Sequence, residues 1–298
     1  MRKRPNIKDL DRIAILGVGL LGGSIGLALR SAGFAGMRVG IARRASTLRR
    51  ARQFDAVDET TTDPARGVTG AELVILCTPV GQFERVLRAI APALRPGCIV
   101  TDVGSTKAEV VALAERILPK TVHFIGSHPM AGSEKTGVEF SRADLYQRAL
   151  CLVTPTPRSA PSAVRFVRTF WGELGARTMT IDPQRHDELL ARASHLPHAV
   201  ATALVHLAAA DGAIELAGPG FGDTTRIASG DPGMWTDIFR SNRRSTLRAI
   251  DELRRELAEL RRMVSRNDAE ALYNWLAEGK KVRDRWIARR YRKGPLPP

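Results

Sequence analysis

Short, mostly apolar runs alternate with helical patterns over the first 181 residues. The apolar runs are the length of buried strands, and strands covered on both faces lack regular polar alternation. They cover residues 13–16, 37–41, 73–77, 99–103 and 149–153. Helical patterns lie between or after them, at 82–94, 108–117 and 160–174. This alternation predicts an α/β domain of the Rossmann type with a mainly parallel sheet.

The second half of the chain, residues 182–298, is predicted to be wholly helical. Asp182 and Pro183 form a helix start, because aspartate is a good cap and proline suits the first helical position. This helix should continue to about residue 210. We expect a kink where Pro197 removes a backbone hydrogen bond.

Two further helices are predicted near the end of the chain. Apolar residues recur at spacings of three and four over 246–264, and Asn267 with Glu270 resembles a capping box for the next helix. The residues expected to face inward on that last helix are Leu272, Trp275, Leu276, Val282 and Trp286. A single layer of helices must bury its apolar stripe, which favours a dimerisation domain. We therefore divide the chain into domains at 10–181 and 182–298.

A glycine-rich turn follows the first predicted strand at once. Gly17 permits a tight reversal, Gly19 lets the backbone approach a pyrophosphate, and Gly22 lets helix and strand pack closely. The predicted cofactor-binding turn comprises Gly17, Gly19, Leu20, Leu21 and Gly22. A signal peptide is the alternative for this uncharged run. Its glycines and the βαβ pattern that continues from it argue against one.

The end of the second strand indicates which dinucleotide binds. An acidic residue would hold a ribose 2′-hydroxyl there, but the positions are taken by Arg43, Arg44, Ser46 and Thr47. Two guanidiniums can clamp a 2′-phosphate, so NADP is favoured, with NAD possible. The alternative is that both arginines are only solvated loop charges. Thr78-Pro79, at the end of the third strand, is also assigned to the cofactor site.

Two polar residues are candidates for catalysis. His128 lies in a small-residue loop just after the apolar run 122–125, and Pro129 biases it away from helical geometry. Ser105 follows the strand at 99–103, so both residues belong to the side of the sheet formed by the carboxyl ends of its parallel strands, where the glycine turn also lies. The alternatives are a structural histidine and a serine that caps the following helix.

The helical half supplies further polar groups. His195 and His198 flank the predicted break at Pro197, and Arg226 follows a predicted glycine-rich loop over 218–225. An arginine in such a loop suits bidentate binding of a carboxylate. Burial within a helical bundle is the alternative for the histidines. A metal site is disfavoured because no carboxylate or cysteine completes a ligand set.

Composition narrows the choice of partner and compartment. The 298 residues carry a net charge of +15, but the arginines are spread along amphipathic helices without a nucleic-acid-binding motif. A positive field that attracts an anionic substrate is the more economical explanation. Three scattered cysteines, Cys77, Cys98 and Cys151, resemble buried thiols of a cytoplasmic protein. We expect no nucleic-acid partner and no membrane span.

Six motifs together resemble the prephenate/arogenate dehydrogenase family of tyrosine biosynthesis. In chain order they are GVGLLGGS from Gly17, DVGSTK from Asp102, HPMAGSEK from His128, SHLPH from Ser194, DTTRIA from Asp223 and Met234-Trp235. The resemblance covers residues 13–286 and implies a homodimer that oxidises and decarboxylates a cyclohexadienol with a nicotinamide cofactor.

The resemblance also implies roles for individual residues. His128 would be the catalytic histidine that bonds the ring hydroxyl, and Ser105 its polar neighbour near the nicotinamide. The residues implied to contact or surround the substrate are Arg226, His198, Ser194, Ser133 and Glu134.

Other functions remain open at this stage. A β-hydroxyacid dehydrogenase would place a catalytic lysine on the helical domain, where no comparable site is found. An NADP-sensing protein would keep the glycines without needing His128, Ser105 and Arg226 together. The residues do not decide between prephenate and arogenate, although the arginines at 43 and 44 tilt the choice towards arogenate or dual use by analogy.

Overall fold

The computed structural model describes residues 6–132, 135–210 and 212–291. Contacts divide the chain into two compact units, Met1–Arg243 and Arg244–Pro298. The first unit therefore includes helices beyond residue 181. The domain boundary predicted at that point stays a prediction.

An eight-stranded sheet forms the centre of the first unit, in the order β3-β2-β1-β4-β5-β6-β7-β8. All neighbouring strands are parallel except β6 and β7, which are antiparallel. The strands are β1 (Arg12–Leu16), β2 (Met37–Ile41), β3 (Glu59–Thr61), β4 (Leu73–Leu76), β5 (Ile99–Asp102), β6 (His123–Pro129), β7 (Leu150–Thr154) and β8 (Arg177–Thr180). The predicted Rossmann-type fold is confirmed.

Helices cover both faces of this sheet. They are α1 (Leu20–Ser31), α2 (Ala45–Gln53), α3 (Pro64–Val68), α4 (Phe83–Ile90), α5 (Ala108–Ile117) and α6 (Pro161–Glu173). Successive residues of a strand point to opposite faces. Ile13 and Ile15 accordingly belong to one hydrophobic core, and Ala14 and Leu16 belong to the other. Burial on both sides explains why the central strands are continuously apolar.

Four more α-helices complete the described part of the first unit: α7 (Pro183–Leu190), α8 (Leu196–Ala210), α9 (Pro219–Thr225) and α10 (Pro232–Ser241). The predicted kink proves to be a π-helical turn, Ala191–His195, which joins α7 to α8. Such a turn changes the hydrogen-bond spacing ahead of Pro197, so the helix continues through the proline. The glycine-rich loop predicted over 218–225 is wrong, because Pro219 opens α9 from its first helical position.

The second unit consists of α11 (Arg243–Ser265), whose first residue closes the first unit, and α12 (Ala269–Tyr291). The predicted capping box is wrong. Asn267 takes a left-handed φ of +50°, and Asp268 caps α12 by accepting a 2.9 Å hydrogen bond from the Ala271 N–H. The inward face predicted for the last helix is not covered within a single chain, because two helices alone cannot cover both of their faces. In the single chain Leu272 is half-buried, whereas Trp275, Leu276, Val282 and Trp286 are exposed.

No helix among the described residues is long and apolar enough to cross a membrane. The three cysteines are free thiols, with Cys98 and Cys151 buried and Cys77 half-buried. Burial raises the pKa of Cys98 to about 12, which keeps this thiol protonated and unreactive at neutral pH.

Candidate active site

The glycine turn joins β1 to α1 in the way that dinucleotide binding requires. Gly17 has a φ of +99°, and a side chain there would lie 2.6 Å from the Cys77 carbonyl oxygen. A side chain at Gly22 would collide with the Gly17 carbonyl oxygen, whereas one at Gly19 would meet nothing within 4 Å. Gly19 caps α1, so the backbone N–H groups of Leu20 and Leu21 begin a twelve-residue helix. This open helix end suits a pyrophosphate.

Two neighbouring loops border this turn. Thr78 follows β4, and its buried hydroxyl has no hydrogen-bond partner within the described residues; Pro79 comes directly after it. Arg44 caps α2, while Arg43 and Ser46 are exposed beside it and Thr47 is half-buried. Residues 42–54 include no carboxylate. The end of β2 therefore offers positive charge and hydroxyls, as the sequence predicts.

His128 lies inside a strand rather than in the predicted loop. β6 pairs with β5 as far as Ile125 and then continues to Pro129 against the antiparallel β7, where His128 is paired with Leu152. Pairing with β7 holds the histidine on the backbone of a strand. Because β1, β4, β5 and β6 are adjacent and parallel, His128 still lies at the edge of the sheet where Gly17, Thr78 and Ser105 follow their strands.

A buried chain of hydrogen bonds begins at His128. Its Nδ1 lies 2.9 Å from Nε2 of His186, and Nδ1 of His186 lies 2.8 Å from Oδ1 of Asp187. The same carboxylate accepts the backbone N–H groups of Lys107 at 2.8 Å and Ala108 at 2.9 Å, at the start of α5. Among the residues described, the hydrogen bond of the His128 side chain is made by Nδ1 and none involves Nε2. One ring nitrogen of His128 is thus held by His186, and the other has no described partner.

A fully buried ion pair joins Lys107 to Asp102 beside this chain. Asp102 also accepts hydrogen bonds from the Gly104 N–H at 2.8 Å and the Ser127 N–H at 3.0 Å. Trp171 donates to the Ser127 hydroxyl at 3.0 Å. These bonds tie the end of β5 to the residue just before His128.

The network continues towards the helical part of the first unit. The Asn242 side-chain amide donates to the Asp187 backbone oxygen at 2.8 Å and lies 3.2 Å from His195 Nδ1. The His195 ring contacts the edge of Trp235, with 6.3 Å between centroids. Trp235 stacks on His198 at 3.6 Å with an interplanar angle of 9°. His128 and His198 therefore belong to one connected layer.

Burial favours the neutral form of the four histidines in this layer. Burial lowers the pKa of His128 well below 6.5, and the nearby His186, Lys107 and His195 lower it further. Burial also lowers the pKa of His186, against the opposing effect of Asp187, and brings that of His195 to about 4. The pKa of His198 is lowered mainly by burial. An uncharged imidazole on this edge can accept a proton at neutral pH.

The other predicted residues have these positions. Ser105 is half-buried in the bend between β5 and α5, and it does not cap α5 because Lys107 occupies that position. Ser194 is half-buried in the π-helical turn, and Arg226 is exposed at the start of the 3₁₀ helix Arg226–Ser229. Ser133 and Glu134, predicted at the pocket entrance, lie outside the described residues.

Sequence reasoning missed His186 and Asp187. Both are almost completely buried, on the same face of the helix as Leu190 and Ala191. A helix has residues four apart on one face, so the pattern could have shown a polar pair on a buried stripe. Buried polar groups require partners, which would have directed attention to the pair.

Comparisons with known proteins agree with this architecture. The family model described as the nucleotide-binding domain of prephenate dehydrogenase matches residues 25–180, and that of the dimerization domain of prephenate dehydrogenase matches residues 182–278. The prephenate dehydrogenase of Bacillus subtilis is 34% identical over 293 residues, which cover 96% of this chain and 78% of that protein.

The matches to two further relatives span nearly the whole length of each relative. The cyclohexadienyl dehydrogenase of Zymomonas mobilis is 32% identical over 278 residues, covering 91% of this chain and 94% of that protein. A crystal structure of prephenate dehydrogenase from Aquifex aeolicus, in complex with hydroxyphenyl propionate and NAD+, matches with a TM-score of 0.85 and 34% identity. The match covers 92% of this chain and 98% of that one.

Proposed function

The chain belongs to the prephenate dehydrogenase family, and we propose that it oxidises and decarboxylates prephenate, arogenate or both, with NADP preferred to NAD. It is a dehydrogenase that uses a nicotinamide dinucleotide. The observation that carries the proposal is the position of His128. It lies on the sheet edge of the glycine turn, with one ring nitrogen bonded to His186 and the other without a described partner.

The residues at the glycine turn suit the dinucleotide. The open space at Gly19 and the start of α1 would receive the pyrophosphate, and the unpartnered Thr78 hydroxyl borders the same turn. Arg43 and Arg44 would bind a 2′-phosphate, which is the reason for preferring NADP. When bound, the nicotinamide accepts a hydride from the carbinol carbon of the substrate ring.

His128 then accepts one proton and returns it within each catalytic cycle. As the carbinol carbon loses hydride, the hydroxyl O–H bond breaks, its proton bonds to His128 Nε2, and a C=O bond forms. Loss of carbon dioxide breaks a ring C–C bond, whose electron pair makes the ring aromatic and returns negative charge to the oxygen. His128 gives the proton back to that oxygen and ends neutral, so protons and electrons balance.

Cationic and polar groups from the helical segments would hold the substrate. Arg226 is proposed to bind a substrate carboxylate, with His198 and Ser194 as further polar contacts. Trp235 stacks on His198 and fixes the plane of its ring. Ser105 is proposed as the polar neighbour of His128 near the nicotinamide. The choice between prephenate and arogenate depends on recognition of a keto or an amino group on the substrate side chain.

The decisive experiment is spectrophotometric reduction of NAD and NADP with each of the two substrates. We expect His128→Asn to lower turnover by at least about 10²-fold while cofactor affinity is kept, because only proton transfer is lost. For Arg226→Ala we expect KM to rise by about 10- to 100-fold, the usual effect of losing a charge-assisted pair. Turnover of neither substrate by the wild type would refute the proposed function.

Cofactor preference is tested separately. The double variant Arg43→Ala/Arg44→Ala should lose about 10- to 100-fold in kcat/KM for NADP while the value for NAD changes little. Arg49→Ala, which removes another exposed arginine of α2, is the matched control. A wild type that prefers NAD would contradict the assignment of the two arginines.

We also propose that the chain forms a homodimer through its helical part. Leu257, Val264, Leu276 and Val282 are more than half exposed in the single chain, which is unusual for long apolar side chains along two helices. The matching family model is that of a dimerization domain. Leu276→Glu should shift the mass measured by light scattering from two chains to one. Glu278→Gln is the control on the same helix.

A further inference from the structure

We propose that Asp187 and His186 are positioning residues that hold His128 in the tautomer with its proton on Nδ1, which makes Nε2 the base. The catalytic consequence rests on the proposed function. The tautomer itself does not, because it follows from the direction of each hydrogen bond along the buried chain. Neither His186 nor Asp187 contacts the reacting atoms in this scheme.

The direction is set first at Asp187. Backbone N–H groups can only donate, and those of Lys107 and Ala108 donate to Oδ1 and Oδ2 respectively. Both oxygens of the Asp187 carboxylate thus face backbone donors at a helix start, and an ionised carboxylate can only accept. The 2.8 Å bond from His186 must therefore be donated by Nδ1–H of its ring.

The same argument fixes which atom donates in the hydrogen bond between His186 and His128. Burial lowers the pKa of His186, so the ring is neutral and carries a single proton, which is already placed on Nδ1. Its Nε2 can only accept, so the 2.9 Å bond must be donated by Nδ1–H of His128. Burial also keeps His128 neutral, which leaves its Nε2 with a lone pair.

The surrounding charges explain how the base can also release its proton. A proton taken up on Nε2 makes His128 cationic, and the bond to His186 connects this charge to the Asp187 carboxylate. Lys107 opposes the charge, although its partner Asp102 partly offsets it. Protonated His128 can therefore form during turnover, but it does not persist.

The tautomer can be measured without substrate by ¹⁵N NMR of histidine-labelled protein at pH 7.5. The chain has six histidines, and single His→Gln variants assign the signals. We expect Nδ1–H for both His128 and His186 in the wild type. A proton on Nε2 of His128 would overturn the proposal even if the enzyme turned over both substrates. The expected tautomers without turnover would refute the proposed function and leave the positioning intact.

Kinetics of Asp187→Asn provide the second test. In either orientation the amide NH2 group faces a backbone N–H, that of Lys107 or that of Ala108, so the side chain cannot accept all three hydrogen bonds and no longer fixes the proton on His186 Nδ1. We expect kcat to fall by about 10²- to 10⁴-fold, the range found when a buried aspartate that orients a catalytic histidine becomes asparagine. KM and cofactor affinity should change less than about threefold. An unchanged kcat, or a loss confined to KM, would overturn the proposal.

A conservative pair separates positioning from packing. In His186→Gln the side-chain oxygen can still accept from His128 Nδ1–H, whereas His186→Phe keeps a ring of similar size and accepts nothing. We expect His186→Gln to retain at least about tenfold more kcat than His186→Phe. Equal activity would contradict positioning by a hydrogen bond. Asp182→Asn, which preserves the cap of α7, is the control and should keep wild-type kcat.

Discussion

His195 makes the stability of the native protein sensitive to acid. Burial lowers its pKa to about 4, whereas an unfolded histidine titrates at about 6.5. The unfolded chain therefore takes up the proton first. Stability from this residue is complete above pH 6.5 and is lost as the pH falls towards 4. The 1.5 pH units from 6.5 to 5, at about 1.4 kcal/mol each, correspond to about 2 kcal/mol.

The contacts of His195 explain why its charged form is excluded. The Asn242 amide group donates to the Asp187 backbone oxygen and can donate its second hydrogen to His195 Nδ1, 3.2 Å away. A proton on Nδ1 would face this donor. The ring is also almost completely buried, so water cannot replace the lost bond.

The assay is urea unfolding at pH 7 and pH 5, followed by tryptophan fluorescence, for the wild type and His195→Gln. The wild type should lose about 2 kcal/mol more between the two pH values than the variant, with equal urea dependence in both. His206→Gln, which replaces an exposed histidine of α8, is the control and should behave as the wild type. An equal pH dependence of the wild type and His195→Gln would refute the argument.

The remaining predictions concern packing, charge and rate. Gly22→Ala should weaken cofactor binding at least about tenfold in titrations, because its Cβ would displace the Gly17 carbonyl. In Gly172→Ala the added Cβ meets no atom within 4 Å, so this variant should raise the free energy of unfolding by up to about 1 kcal/mol in urea titrations by stabilising α6. Arg38→Met should lower the free energy of unfolding by about 3 kcal/mol, because Asp58 and the Gly26 carbonyl lose a buried hydrogen-bond partner. Arg88→Met, which breaks an exposed ion pair, should lower it by only about 0.5 kcal/mol. Because the pKa of His128 lies well below 6.5, kcat/KM should stay constant between pH 7.5 and 6.5. A fall in inverse proportion to the proton concentration over that range would contradict a neutral buried base.

The sequence was most informative where one residue type satisfies a local requirement. Gly17 needs a positive φ and Gly22 a close approach, so the cofactor turn was predictable without tertiary structure. The buried strands were predictable because their apolar runs are continuous. The short strands β3 and β8 were missed because they lie at the sheet edges and carry mainly polar residues, Glu59–Thr61 and Arg177–Thr180.

The positions that depend on tertiary contacts were harder to predict. Nothing local shows that His186 lies beside His128, which is 58 residues away in the chain. The π-helical turn was expected only as a kink, because a proline indicates a broken hydrogen bond but not how the helix repairs it. Asn267 was assigned as a cap from its spacing to Glu270, but its backbone is used to end the preceding helix.

The bonds that orient the base also attach α7 to the sheet. Asp187 accepts from His186 and from the first backbone N–H groups of α5, so a single carboxylate both caps α5 and directs the ring that contacts His128. Asn242 fixes the backbone of the same residue from just beyond the end of α10. A shift of α7 relative to α5 would therefore lengthen the bond to His128 before it disturbed the hydrophobic cores. Catalytic rate should respond to substitutions at this contact more strongly than stability does, because the base depends on one hydrogen bond and the fold on many.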